Sequence, residues 1–452
     1  MKRYKIYLVG FILLLCLSFT LPGTNINVNK QDDKADKNIV PLLTESNSVK
    51  YEWNRTWGGG DSDFAQGVAT DSSGNIFLAG YTESFGAGGR DMILVKYDGN
   101  GVQQWNRTWG GGDSDSGWGV VTDSLGNTYL AGHTWNFGAG YYDMVLVKYD
   151  GNGLQQWNYT WGGNKSDYCY GVAVDSSGNI ILAGSTSSFG AGSSDMVLVK
   201  HDENGVLQWN RTWGGGEIDD AYGVTVDSSG NIYLAGGTYS FGAGEYDMVL
   251  VKYDGNGVQQ WNRTWGGTSD DNGYGVAVDS SSNIYLAGRT YSFGSGSSDM
   301  VLVKYDGNGV QQWNRTWGGD SIDRGNEVAV DSLGNIFLAG YTSSFVAGIS
   351  DMVLVKYDGI GVQQWNYTWG GDSWDHGFGM VVDSSGNIYL AGGTYSFGVG
   401  SSDMVLVKLV DNDSLERPPP DNIIMIVIIV SIVSVVGVGI AITFFIRKFK
   451  NN

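Results

Sequence analysis

Three histidines, two cysteines and 47 acidic side chains are the material from which a reaction centre would have to be built. His133, His201 and His376 stand in unrelated contexts, and none completes a set with a nucleophile and an acid. Three are too few for a multi-histidine metal centre. Cys16 lies in a leading apolar run, which leaves Cys169 without a partner for an internal disulfide. The aspartates are more regular. Asp63, Asp115, Asp167, Asp219, Asp271, Asp323 and Asp375 recur every 52 residues. Such a ring would offer Ca²⁺ the oxygen ligands it takes. Each site supplies few acids, however, so an Asx-type turn that bonds its own backbone is the expected reading. The sequence therefore predicts no enzyme and no cofactor, with weak Ca²⁺ binding as the alternative.

Aromatic side chains make a stronger case, and the case is for binding. Trp53, Arg55 and Trp57 alternate along one strand, so they share a face suited to cation–π stacking. The pattern recurs in every copy, with Tyr159 and Tyr367 replacing the arginine in two. A residue repeated in every copy is expected to do one architectural job each time; stacking platforms for sugars are the alternative. Residues that vary within a fixed register can instead make one asymmetric surface. Beside the recurring aspartate stand Phe64, Ser116, Tyr168, Asp220, Asn272, Arg324 and His376. A second varied set is Glu83, Trp135, Ser187, Tyr239, Tyr291, Ser343 and Tyr395. Strand alternation puts both sets in loops at the same end of the molecule, and loops on a rigid scaffold often carry function. The candidate ligand-binding residues are Trp118, Trp135, Tyr142, Tyr239, Tyr246, Tyr291, Arg324, Trp374 and His376. The ligand expected there is an extracellular protein or a glycan.

The elements that position these residues come from the repeat. Trp-Asn-x-Thr-Trp begins at Trp53, Trp105, Trp157, Trp209, Trp261, Trp313 and Trp365, always 52 residues apart. Asp-Met-x-Leu-Val-Lys begins at Asp91 and recurs six more times at the same interval. One period reads as four strands, the first short and starting at Gly67. Asp-Ser-Ser-Gly-Asn and Asp-Gly-Asn-Gly are its turns. Runs such as Met-Val-Leu-Val are apolar on both faces, so both faces are covered. Radially stacked four-stranded sheets achieve this. The predicted fold is an all-β, seven-bladed β-propeller of four-stranded antiparallel blades over residues 51–410. Its N-terminal strand completes the last blade, which removes the free edges of an open array.

Asp279 to Phe293, Asp-Ser-Ser-Ser-Asn-Ile-Tyr-Leu-Ala-Gly-Arg-Thr-Tyr-Ser-Phe, resembles the prokaryotic beta-propeller repeat (SBBP) family. The resemblance implies the fold and little about activity. Asp-Gly-Asn-Gly followed by Trp105 is also similar to the tryptophan-docking repeat of quinoprotein dehydrogenases, where the motif is structural and implies no cofactor.

The chain ends point to the membrane. Residues 1–25 read as a signal peptide and 26–50 as a linker. Residues 411–422 read as a short stalk. Residues 423–446 are 24 apolar or small residues without charge, long enough for one transmembrane helix. Residues 447–452 carry Arg447, Lys448 and Lys450, so this tail is expected in the cytoplasm and the propeller outside. The formal net charge is −20, and such an acidic chain excludes nucleic acid as a partner. External protease on intact cells should remove the repeat region and leave a small anchored fragment. Full protection of the repeat region would overturn this topology.

Overall fold

The computed structural model describes residues 48–346, 348–412, 427–431 and 443–447. Seven four-stranded antiparallel sheets are present among them. In blade 1 the inner strand is Asp63–Thr70, the second Ile76–Thr82, the third Asp91–Tyr97 and the outer Gln103–Trp109. The second and third strands are buried on both faces, as their continuous apolar runs require. Their side chains interleave with the next blade. Phe77, Ala79, Met92 and Leu94 pack against Leu130, Val145, Val147 and Tyr149. The turn between inner and second strands is held by Asp71, whose Oδ1 accepts the N–H groups of Ser73 and Asn75 at 2.9 Å.

The repeated cations join the blades. Arg55 Nε donates to the carbonyl of Gly101 at 2.8 Å, and its guanidinium lies 4.9 Å from the Trp53 ring centroid. Arg107, Arg211, Arg263 and Arg315 repeat the bond on Gly153, Gly257, Gly309 and Gly361. On the third strand, Lys96 Nζ donates to the carbonyl of Gly151 at 3.1 Å, and later lysines do the same one period on. The tryptophan strand is thus a packing ladder. A Cβ on Gly153 would lie 2.9 Å from the Trp105 ring, so the next blade's turn already covers that indole.

Closure follows the expected plan. The strand Val49–Trp57 pairs with Asp403–Asp411 and becomes the outer strand of the last blade. The paired segment runs slightly past 51–410 at both ends. No Asp-Gly-Asn-Gly turn follows in that blade, and Lys356 instead meets the Asp411 carboxylate at 2.7 Å with both side chains buried.

Two expectations need restating. The inner strand begins at Asp63, four residues before Gly67, because the chain from Asp63 onward already pairs with the second strand. Phe64, Ser116, Tyr168, Asp220, Asn272, Arg324 and His376 are therefore strand residues, not loop residues. Every inner strand also carries a β-bulge, in blade 1 between Ala65 and Gly67. The signal peptide, most of the linker and most of the stalk lie outside the described residues. Within the apolar segment 423–446, the described parts are the antiparallel strands Val427–Ser431 and Thr443–Arg447, the second ending one residue past it. No helix among the described residues is long and apolar enough to cross a membrane.

Removing one partner of a buried ion pair strands the other charge, at a cost of about 3–5 kcal/mol. Asp411→Ala should destabilise the propeller by that order in denaturant unfolding, and Lys356→Met with Asp411→Leu should recover most of the loss. An Asp411→Ala variant that unfolds like the parent would show that closure does not depend on this pair.

Candidate functional site

A bulge inserts one residue into a strand and re-aims it. Here the inserted residues are Gln66, Trp118, Tyr170, Tyr222, Tyr274, Asn326 and Phe378. All of them line a central cavity of about 230 Å³. Inner strands can crowd the axis because a glycine follows the bulge in six blades; a Cβ on Gly67 would lie 2.7 Å from the carbonyl of Trp118. Glu327 stands at this position in blade 6 and faces the cavity.

The channel is not uniform. Trp118 and Tyr170 have ring centroids 5.0 Å apart, Tyr170 and Tyr222 5.4 Å, and Tyr222 and Tyr274 5.3 Å. These four rings make one arc through blades 2 to 5. Blade 6 is polar: the Arg324 guanidinium lies 3.9 Å from the Tyr274 centroid, and Asn326 Nδ2 donates to the carbonyl of Gly377 at 2.6 Å. Burial raises the pKa of Tyr170 and Tyr222, so both remain neutral hydroxyl donors.

The loop-bearing end continues this surface outward. The connection between blades and the loop after the second strand share that end, as Asp61 N–H donating to Ser84 Oγ shows. Trp135, Tyr239, Tyr291 and Trp374 are exposed there by 41–47%. Trp135 meets Tyr142 at 4.8 Å, Tyr142 meets Tyr168 at 5.2 Å, and Tyr168 stacks on Tyr170 at 6.0 Å. Aromatic contact therefore runs unbroken from the rim into the channel through blades 2 and 3. His133 sits inside this cluster, 4.9 Å from Tyr168.

Other candidates have different settings. Tyr246 is buried, not presented; its hydroxyl donates to Asp220 Oδ2 at 3.1 Å, in space left by Gly237. His376 is half-buried and stacks on Tyr341 at 4.1 Å. Tyr291 and Trp374 lie apart from the blade 2 and 3 cluster; Trp374 contacts Tyr395 at 5.8 Å. Tyr170, Tyr222 and Tyr274 were absent from the candidates. Their signal was a varied, aromatic-rich column between small residues.

The recurring aspartates are fully buried. Asp63 Oδ2 accepts Gly59 N–H at 2.8 Å and the Ser84 hydroxyl at 2.7 Å. Thr134, Thr186, Thr238, Thr342 and Thr394 donate to the other oxygen in Asp115, Asp167, Asp219, Asp323 and Asp375. These aspartates thus spend carboxylate oxygens on the backbone and hydroxyl donors of their own blade. Among the described residues, no group of three or more His, Cys, Asp or Glu could hold a metal ion.

Titration in the site runs in two directions. Burial lowers His133 to about 4 and His376 to about 4, with Arg324 adding to the second. Their folded values lie below the unfolded one, so their contribution is present above about pH 6.5 and lost as pH falls toward 4. Burial pushes Glu327 up to about 8 from 4.5, although it accepts the Val328 N–H at 3.0 Å. The unfolded chain releases this proton first, so stability falls as pH rises from 4.5 to 8. Glu327→Gln should match the parent at pH 4 and exceed it at pH 8 by on the order of a few kcal/mol. Equal unfolding midpoints at both pH values would show that Glu327 is not held protonated.

A family model, the beta-propeller repeat (SBBP), matches residues 57–85, 156–190, 260–294 and 313–345. The chain is 29% identical over 118 residues to the regulatory protein FlaEY of Caulobacter vibrioides. That match covers 23% of this chain and only 12% of FlaEY. The Pan2 WD40 domain of Neurospora crassa is structurally similar, with a TM-score of 0.51 and 11% identity over 81% of this chain and 97% of that one. A protein of unknown function from Dyadobacter fermentans gives 0.47 at 11% identity, over 81% of this chain and all of its own. At such identity the likeness concerns the fold alone. The chain is a seven-bladed β-propeller, and four stretches of it match the beta-propeller repeat (SBBP).

Proposed function

We propose that this propeller is a non-enzymatic carbohydrate-binding module held at the cell surface by its C-terminal apolar segment. The carrying observation is the unbroken aromatic surface from Trp135 through Tyr142 and Tyr168 to Tyr170 and Trp118. Sugar rings stack on aromatic faces, and their hydroxyls need polar partners nearby. Trp118 Nε1 and His133 Nδ1 are buried without a hydrogen-bond partner beside those faces. An apolar pocket with a few convergent polar groups is the usual form of a small-ligand site. Surface display is supported by the uncharged stretch 423–446 and the basic residues after it.

A second reading, an enzyme at the channel mouth, has one observation in its favour. Burial raises the pKa of Glu327, which lines the same cavity as Tyr170, Tyr222 and Tyr274, as would suit a general acid. No second carboxylate lines the cavity with it.

A glycan array probed with the purified full chain tests the proposal. Trp135→Ala and Trp118→Ala should each weaken capture roughly tenfold or more, as central aromatic anchors do, with unfolding of the exposed Trp135 variant unchanged. Release of shortened products from the captured glycan would favour the enzyme. Capture of no glycan, or capture by both variants as strong as the parent's, would defeat the carbohydrate reading.

A further inference from the structure

Among the described residues, most cations are already engaged between blades or in surface pairs. The repeated arginines and lysines hold neighbouring turns, and Arg90 bonds Glu83 at 2.7 Å. Arg289 and Arg324 differ. Neither makes a hydrogen bond or ion pair among the described residues, and the Nε of each is buried without a partner. They are neighbours across the boundary of blades 5 and 6, because a Cβ on Gly325 would lie 2.9 Å from the carbonyl of Gly288. Each fork lies against an aromatic face: Arg324 is 3.9 Å from the Tyr274 centroid and Arg289 is 5.0 Å from the Tyr291 centroid. Both positive charges act on the Tyr274 phenol, opposing the upward shift that its burial causes. Asp270 completes the sector. Its carbonyl accepts Tyr291 N–H at 3.0 Å, and its Oδ1 is buried without a partner.

Two unused guanidinium forks in a chain of net charge −20 need an acceptor to offset their desolvation. A planar fork matches a carboxylate bidentately. Asp270 and the acidic surroundings disfavour a densely charged ligand and suit one that also donates hydroxyl groups. We propose that this sector binds an acidic sugar, with Arg289 and Arg324 taking its carboxylate, Tyr274 and Tyr291 flanking its ring, and Asp270 accepting a ring hydroxyl. The inference rests on the carbohydrate reading and names its substrate class as uronate-bearing glycans.

The test uses the purified full chain with oligogalacturonate, its methyl ester, a sulfated oligosaccharide of equal length, and polyglutamate. The uronate should bind roughly tenfold or more tighter than the ester, and that preference should shrink with added salt. Arg289→Gln with Arg324→Gln should abolish the preference, with thermal unfolding near the parent. Arg289→Lys with Arg324→Lys, which keeps charge without the fork, should retain part of it. Lys50→Gln, at the closing strand, should change nothing. A preference that survives the double Gln variant overturns the subsite, as does equal binding by the sulfated oligosaccharide or by polyglutamate. Ester and uronate binding alike would defeat this inference and leave the carbohydrate reading standing. Binding of no saccharide would defeat both.

Discussion

No blade of this protein is complete by itself. Its second and third strands are apolar on both faces, so each blade must be covered on both sides by neighbours. The polar part of the same constraint is the clasp. An arginine reaches a turn 46 residues ahead and a lysine one 55 residues ahead, a little under and over one period. Each turn carbonyl so engaged would otherwise compete for water at the blade boundary. A chain built this way has no stable stopping point short of a closed ring. At the ring's seam, where the chain has no turn to offer, the Asp411 carboxylate answers Lys356. The fold therefore depends on nearest-neighbour completion, and the strand Val49–Trp57 is the piece that makes the number of neighbours come out even.

This division of labour explains what the sequence reveals. The period, the turns and the doubly apolar strands are local patterns, and they specify blade number, strand number and closure. Alternation also places Trp135, Tyr239, Tyr291 and Trp374 at one end, where they are exposed. The channel arc was harder to see. A bulge breaks the two-residue rhythm without any turn-like residue to mark it, so Tyr170, Tyr222 and Tyr274 read as ordinary strand positions. Trp118 was a candidate without its neighbours. Arg289 lay in the second strand, where a cation reads as one more solvated residue. Tyr246 failed for the opposite reason: its burial depends on Gly237 across the strand pair, a contact that spacing alone does not show.

The bulge also explains why function can change here at small structural cost. The glycine before it in blades 2, 5, 6 and 7 meets the second strand of the preceding blade, and the glycine after it in six blades meets the next inner strand. The inserted residue faces the cavity, and an indole, a phenol, a phenyl ring or a side-chain amide is accommodated there in different blades. Glu327 shows the limit. It occupies a column that is otherwise glycine, and the neighbouring Gly275 leaves its Cα just enough space. The consequence is a carboxyl group whose pKa burial raises, in a channel otherwise lined by aromatic, aliphatic, glycine and neutral polar residues plus Arg324.

A sevenfold scaffold poses a problem for recognition. Seven equal sites would each be weak and would tell one ligand from another poorly. Here the repeated residues are consumed by the ring, and the departures from repetition are grouped. Blades 2 and 3 carry the aromatic run from rim to channel, blades 4 and 5 extend the arc, and blades 5 and 6 supply the unpaired cations and Asp270. A ligand lying across the mouth would meet stacking surface first and fixed charge further along. Each part alone offers modest affinity, because stacking is tolerant of ring identity and a half-exposed charge is screened. On the proposed reading, joined on one face they would favour a ligand long enough to reach both, with a carboxylate where Arg289 and Arg324 meet it. An extended acidic saccharide has that shape, and a compact anion or a neutral monosaccharide does not.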